Sequence, residues 1–155
     1  MKILLDADSC PKPVRDLVLK RAFKLSLNII FAANRAIPCE CEIDGKTARA
    51  QMEICPNNDN SADDRIVFLS REGDLVITRD IPLAKRLIEK NALVIDDRGR
   101  AFTPENINEA LSLRDFKVKL AENGMDIERT ANYGKKELKQ FADSFDRVLA
   151  RINKF

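Results

Sequence analysis

The most chemically informative residues of this chain are aspartates that follow two apolar segments. Asp6 and Asp8 come at the end of the first apolar run, and Asp80 follows the run that ends at Thr78. Carboxylates brought close together repel one another, and a divalent cation between them relieves that repulsion. A site built only of oxygen ligands favours Mg²⁺ or Mn²⁺. The chain contains no histidine, which excludes Ser-His and Cys-His nucleophile pairs and metal sites that need imidazole.

The elements that would position these aspartates can be predicted from the apolar pattern. Short apolar runs alternate with longer amphipathic segments, which predicts a mostly parallel sheet flanked by helices. Ligands bind such sheets beyond the carboxyl ends of the strands, so the three aspartates should lie along one edge. A helix capped by Ser61 can bring Asp63 and Asp64 toward the same edge.

The boundaries of these elements follow from the same pattern and from the turn residues between them. The predicted strands are residues 2–6, 28–33, 49–55, 74–78 and 92–95. The predicted helices are residues 13–26, 61–71, 81–90, 104–112, 114–123 and 134–152, with Thr103 capping the fourth. Residues 38–46 are predicted to be irregular and residues 56–60 to form a loop, and a break containing Gly and Asn separates the last two helices.

Composition limits the classes of protein that this sequence can encode. With 155 residues, of which 45% are hydrophobic and 34% charged, the chain is expected to fold as one domain over residues 1–155. The net charge of +2 argues against tight nonspecific binding to nucleic acid. The first apolar run is too short for a signal peptide and no run is long enough to cross a membrane, so a cytoplasmic protein is expected. We expect neither haem nor a nucleotide cofactor.

Several segments of the chain carry a resemblance to a known family. They include Asp6-Ala7-Asp8-Ser9-Cys10-Pro11, Ala62-Asp63-Asp64-Arg65-Ile66 and the longer run from Gly73 to Ala84, with shorter matches at Ala33-Asn34, Arg98-Gly99, 103–107 and 114–116. In these segments, which run in order over about residues 1–120, the chain resembles the YaiI/YqxD family of uncharacterised bacterial proteins. The resemblance implies a three-layer PIN-like fold, which many metal-dependent ribonucleases share.

The PIN pattern also implies roles for four aspartates. It places acids after the first strand, on a middle helix, in a D-x-x-I helix start, and in T-x-D after the fourth strand. Asp6, Asp63 and Asp80 match the first, third and fourth of these positions. The middle-helix acid has no clean match, and Asp8 is its candidate substitute, so one metal ion is favoured over two. Asp6 and Asp80 would ligate the cation, and Asp8 and Asp63 would complete its shell or orient a water.

Further residues near this edge are expected to support the site. Ser9 and Thr78 could hydrogen-bond the carboxylates or a phosphate oxygen. Arg79 and Arg114 are candidates for contacts with the nucleic-acid backbone. The supporting set is Ser9, Asn34, Asp64 and Thr78.

The resulting expectation is a divalent-metal-dependent nuclease that hydrolyses RNA phosphodiesters and uses Mg²⁺ or Mn²⁺. One alternative is a noncatalytic module whose acidic edge binds a cation or a basic partner. Another is a haloacid-dehalogenase-type phosphohydrolase with Asp6 as nucleophile. Gly73-Asp74 fits that alternative poorly, because it opens its strand rather than closing it, and Asp74 should therefore lie at the opposite edge. The sequence is also compatible with a homodimer.

Overall fold

The computed structural model describes residues 1–58, 60–125 and 132–152, and its centre is a six-stranded sheet. The strands of the chain are β1 (Lys2–Asp6), β2 (Asn28–Ala33), β3 (Glu40–Ile43), β4 (Lys46–Arg49), β5 (Gln51–Ile54), β6 (Leu75–Ile77), β7 (Leu93–Ile95) and β8 (Ala101–Phe102). The helices are α1 (Lys12–Lys24), α2 (Ser61–Leu69), α3 (Ile81–Glu89), α4 (Ile107–Glu122) and α5 (Lys135–Ile152). Among the described helices, none is long and apolar enough to cross a membrane.

The strand order defines where a ligand would bind. The main sheet has the order β5-β2-β1-β6-β7-β8, and every neighbouring pair is parallel except β7 with β8. Strands β2 and β5 therefore follow one another on one side of β1. Strands β6, β7 and β8 follow one another on its other side. The order reverses between β1 and β6, and in open α/β sheets the crevice at such a point is the preferred ligand site.

Two hydrophobic clusters cover the two faces of this sheet. On one face Phe31 packs with residues of α1 and α5, including Val18 and Phe141. On the other face Val76 packs with residues of α2, α3 and α4, including Leu83. The sheet is thus buried on both sides, as a parallel sheet requires. The predicted three-layer α/β fold with a mostly parallel central sheet is confirmed.

The prediction that residues 38–46 are irregular is wrong. Strands β3 and β4 form a separate antiparallel hairpin that packs on α1. Its turn is Asp44-Gly45, and both residues have positive φ, +50° and +75°. Asp-Gly between short strands is a strong hairpin signal because such turns match the strand twist. The signal was present in the sequence but was outweighed by the polar character of the segment.

The helix predictions need three corrections. Ser61 is the first residue of α2 rather than its cap, and Asn60 occupies the cap position. The two helices predicted over residues 104–112 and 114–123 are one helix, α4, because no glycine or proline interrupts Ile107–Glu122. That helix begins at Ile107 because Thr103 and Asn106 exchange hydrogen bonds across a turn. The break predicted before α5 falls partly on residues 126–131, which lie outside the described residues.

Candidate active site

Thr78 connects the ends of β1 and β6 at the point where the strand order reverses. Its hydroxyl donates to Asp6 Oδ2 (3.1 Å) and accepts from the backbone N–H of Asp80 (3.1 Å). Asp6 is the last residue of β1 and is 6% exposed. The buried carboxylate is therefore held in one orientation, facing the turn that carries Asp80.

The environment of Asp6 disfavours its charged form. Burial raises the pKa of Asp6, and the hydrogen bonds from the side chains of Thr78 and Ser9 oppose that rise. The negative charges of Asp8 and Asp80 raise the pKa further. A cation that binds beside such a carboxyl group stabilises its charged form.

The packing of α2 against α3 places the side chain of Asp63 within hydrogen-bonding reach of Asp80. Asp80 caps α3, with its Oδ1 accepting the N–H of Leu83 (3.1 Å), so the helix dipole favours a negative charge there. Burial, the charge of Asp80 and a hydrogen bond with that carboxylate raise the pKa of Asp63 to about 7, and Asp6 adds to the rise while Arg86 opposes it. The Asp63 carboxyl group therefore keeps its proton up to near-neutral pH.

Asp8 and Asp64 occupy more open positions. Asp8 Oδ2 accepts the backbone N–H of Asn34 (2.8 Å), and its other oxygen lies 3.9 Å from Arg35 Nε. Asp64 forms an exposed ion pair with Arg86 (2.8 Å). It lines a separate shallow surface, so its predicted supporting role has no geometric support.

Two openings meet at the acid cluster, which we define as Asp6, Asp8, Asp63 and Asp80. The first is a cavity of about 310 Å³ between the end of β1 and α2, lined by Asp6, Asp8, Ser9, Asn34, Asn57, Asn58, Asn60, Ala62 and Asp63. The second, of about 350 Å³, is lined by Asp6, Ser9, Arg79, Asp80, Ile81 and Arg114. Asp6 and Ser9 belong to both, so the cluster lies between them. Asp6, Asp8 and Asp63 thus line the first opening, and Asp80 lines the second together with Asp6. The crevice formed by the two adjoining openings therefore contains the four aspartates.

The donor set of the crevice suits a hard cation, but its geometry is not that of a completed site. Carboxylate and amide oxygens are the ligands that Mg²⁺ and Mn²⁺ prefer. Within the part of the chain that the structure describes, no group of three or more Cys, Asp or Glu side chains has a metal-holding arrangement. Asp8 Oδ2 instead accepts the backbone N–H of Asn34, and the Asp63 side chain lies against Asp80.

The two arginines predicted to contact nucleic acid have different surroundings. Arg79 forms an ion pair with Asp97, which follows β7 and is 1% exposed. Arg114 on α4 is exposed and contacts Asp115 (3.4 Å). Asp97 was missed by the sequence analysis, although the rule that selects acids after strands applies to Asp96-Asp97 as well. The asparagines of the loop before α2 were also missed, because residues 56–60 were predicted only to form a loop.

The position of Asp74 bears on the phosphohydrolase alternative. Asp74 lies at the amino end of β6, where its carboxylate accepts the backbone N–H groups of Lys2 (3.0 Å) and Arg71 (2.8 Å). These hydrogen bonds and the Lys2 ammonium lower the pKa of Asp74 despite its burial, which acts in the opposite direction. Asp74 therefore stabilises the edge of the sheet opposite to Asp6 and cannot act together with it.

Comparisons with known proteins assign the family. The model of a family described as uncharacterised, the YaiI/YqxD family, matches residues 4–151. A UPF0178 protein of Treponema denticola is 46% identical over 154 residues, covering 99% of this chain and 95% of that protein. Similar proteins of Treponema pallidum and Myxococcus xanthus are 41% and 37% identical, over 98% and 99% of this chain and 83% and 97% of theirs. No solved structure matches the chain. The chain belongs to the YaiI/YqxD family.

Proposed function

We propose that the protein is a divalent-metal-dependent hydrolase of RNA phosphodiesters that acts at the acid cluster. The observation that carries this proposal is the contact between Asp63 and Asp80 beside the buried Asp6. Two carboxyl groups in contact need either a proton or a cation between them. Because the pKa of Asp63 is about 7, the proton is easily displaced by a cation at the pH of most cells.

The residues around the cluster are suited to hold a cation and a phosphodiester side by side. Asp80 is fixed by its capping of α3 and Asp6 by Thr78, so two ligands are positioned before any ion arrives. Bound Mg²⁺ or Mn²⁺ would lower the pKa of a water and stabilise charge on the phosphate oxygens. Arg79 and Arg114 line the same opening as Asp6 and Asp80, where they would bind the anionic backbone.

The first test of this proposal is stabilisation by metal. Millimolar Mn²⁺ should raise the melting temperature of the wild-type protein by about 5–10 °C, since a ligand at a hundred times its Kd adds about 2.7 kcal/mol to the unfolding free energy. Asp63→Asn should lose most of that rise, because the variant cannot give up a proton to offer the cation a carboxylate beside Asp80. The measurement is differential scanning calorimetry with and without Mn²⁺.

Asp64→Asn is the matched control, since Asp64 is the next residue of α2 but is paired outside the cluster. It should keep the full effect of Mn²⁺. Equal responses of the two variants would place the bound metal elsewhere. Hydrolysis is then assayed on single-stranded RNA, structured RNA and DNA, with Mn²⁺ and with EDTA. A protein that binds Mn²⁺ at the cluster and cleaves none of these would be the noncatalytic module instead.

A further inference from the structure

We infer that Asp97 is a positioning residue, which holds the guanidinium of Arg79 beside the acid cluster to bind a phosphate of the substrate. This inference rests on the proposed function and adds to it a group that fixes the phosphodiester rather than the metal. Three features carry it: the geometry of the ion pair, the rigidity of the loop that carries Asp97, and the opening that Arg79 lines.

The two partners of the ion pair differ in exposure, because Asp97 is buried and Arg79 is half-exposed. Arg79 Nε donates to Asp97 Oδ1 (3.4 Å) and Nη2 donates to Oδ2, a two-point contact that fixes the plane of the guanidinium. The Asp97 side chain is 1% exposed, whereas that of Arg79 is 52% exposed. An ion pair that served only the core would bury both partners, but here the donors not used by Asp97 remain accessible.

The loop that carries Asp97 has little freedom to move. The carboxylate of Asp96 accepts the backbone N–H groups of Arg98 and Arg100, each at 2.9 Å. Tyr133 donates its hydroxyl to the Asp97 carbonyl (2.7 Å). Gly99 packs so closely on α5 that a Cβ there would lie 2.6 Å from the Gln140 carbonyl oxygen. The loop is therefore braced from within and from the segment that leads into α5.

The Arg79 side chain lies at the crevice rather than on the open surface. Arg79 lines the opening that also contains Asp6, Asp80 and Arg114, and its backbone N–H donates to Ser9 Oγ (3.4 Å). A fixed guanidinium beside carboxylates matches what a metal-bound phosphodiester presents, an anion with one side facing the cation. An unanchored arginine at this position would instead be drawn to the carboxylates and block the site.

The test measures binding without hydrolysis, using fluorescence anisotropy of a labelled single-stranded RNA oligonucleotide in EDTA at several salt concentrations. Asp97→Asn should weaken binding about two- to tenfold, the cost of leaving one long side chain unfixed, and leave the salt dependence unchanged. Arg79→Ala should weaken binding and also lower the slope of log affinity against log salt by about 0.7, because one phosphate contact is lost. Arg79→Lys, which keeps the charge without the planar fork, should behave like Asp97→Asn.

The pair of Arg21 with Asp146 provides a matched control. It has the same two-point geometry, but Arg21 lies in the last turn of α1, whereas Ser9 precedes the first turn of that helix. Asp146→Asn adds the same charge to the protein as Asp97→Asn and should leave binding unchanged. If Asp97→Asn unfolds the protein, Arg79→Lys decides, because it changes a half-exposed side chain.

Three results would overturn the inference. Tighter RNA binding by Asp97→Asn, with a steeper dependence of affinity on salt, would mean that Asp97 neutralises the charge of Arg79 instead of orienting its guanidinium. Wild-type binding in Arg79→Lys would mean that orientation is irrelevant, and no binding by the wild type at any salt would mean that Arg79 holds no phosphate. In a different outcome, the wild-type protein binds the RNA through Arg79 and yet shows no rise in melting temperature with Mn²⁺. That result would reject the proposed function and leave this inference standing.

Discussion

Asp80→Asn should reduce the rate of Mn²⁺-dependent RNA hydrolysis at least about 100-fold, the upper end of what the loss of an outer-shell partner of a metal ligand costs. The reduction should appear in kcat, because the substituted residue acts on the metal rather than on the affinity for RNA. Asparagine is chosen because Asp80 also caps α3 through the N–H of Leu83. Asparagine is an equally good cap, so the variant removes charge and little stability.

Asp64→Asn is again the control in the kinetic experiment and should retain nearly the full rate. Its ion pair with Arg86 is exposed, and such pairs contribute little to stability. Circular dichroism melts of both variants separate a chemical effect from unfolding. Equal rates for Asp80→Asn and the wild type would show that hydrolysis, if present, does not use this cluster.

The unfolding free energy of the metal-free protein should fall as the pH rises from about 4 to about 7. The pKa of Asp63 is near 3.8 when unfolded and about 7 in the fold, so the folded state binds more protons across this interval. Stability linked to Asp63 is therefore complete below the unfolded pKa and is lost as the pH passes the folded one. Asp63→Asn should be more stable than the wild type at pH 8 by about 1–2 kcal/mol, after allowance for solvent screening of a partly exposed side chain.

Urea unfolding at closely spaced pH values, in EDTA, measures this difference. The unfolding free energy of Asp63→Asn should rise relative to that of the wild type between pH 4 and pH 7. Above pH 7 the difference should stay constant. Asp64→Asn should follow the wild type throughout. A gap that does not change with pH would mean that Asp63 holds no proton in the fold. With saturating Mn²⁺ the trend of the wild type should reverse, because metal binding requires the proton to leave.

The gathering of Asp6 and Asp80 could be predicted from the sequence. Both follow apolar runs short enough to be buried strands, and parallel strands present their carboxyl ends at one edge. Only the pairing of β1 with β6 makes them neighbours, and the apolar pattern does not encode strand order. Asp63 was identified only through the family resemblance. Its position relative to Asp6 and Asp80 depends on how α2 packs against the rest of the fold.

The details of the site could not be predicted, because they depend on tertiary contacts. The raised pKa of Asp63 follows from the approach of α2 and α3, and the hydrogen bond from Asn34 to Asp8 follows from the pairing of β1 with β2. Neither leaves a trace in residue spacing. Asp97 is different, because its position after a predicted strand was visible in the sequence, yet the strand-end rule was not applied to it.

A Mn²⁺-soaked crystal measured at the manganese absorption edge tests the central claim most directly. If the acid cluster is a metal site, an anomalous difference peak will lie within about 2.5 Å of carboxylate oxygens of Asp63 and Asp80, the range of metal–oxygen bonds. Asp6 will face the same ion, and the two carboxyl groups will have separated to admit it. The claim would be contradicted by a map without a peak at this position at saturating Mn²⁺, with Asp63 and Asp80 still hydrogen-bonded to each other.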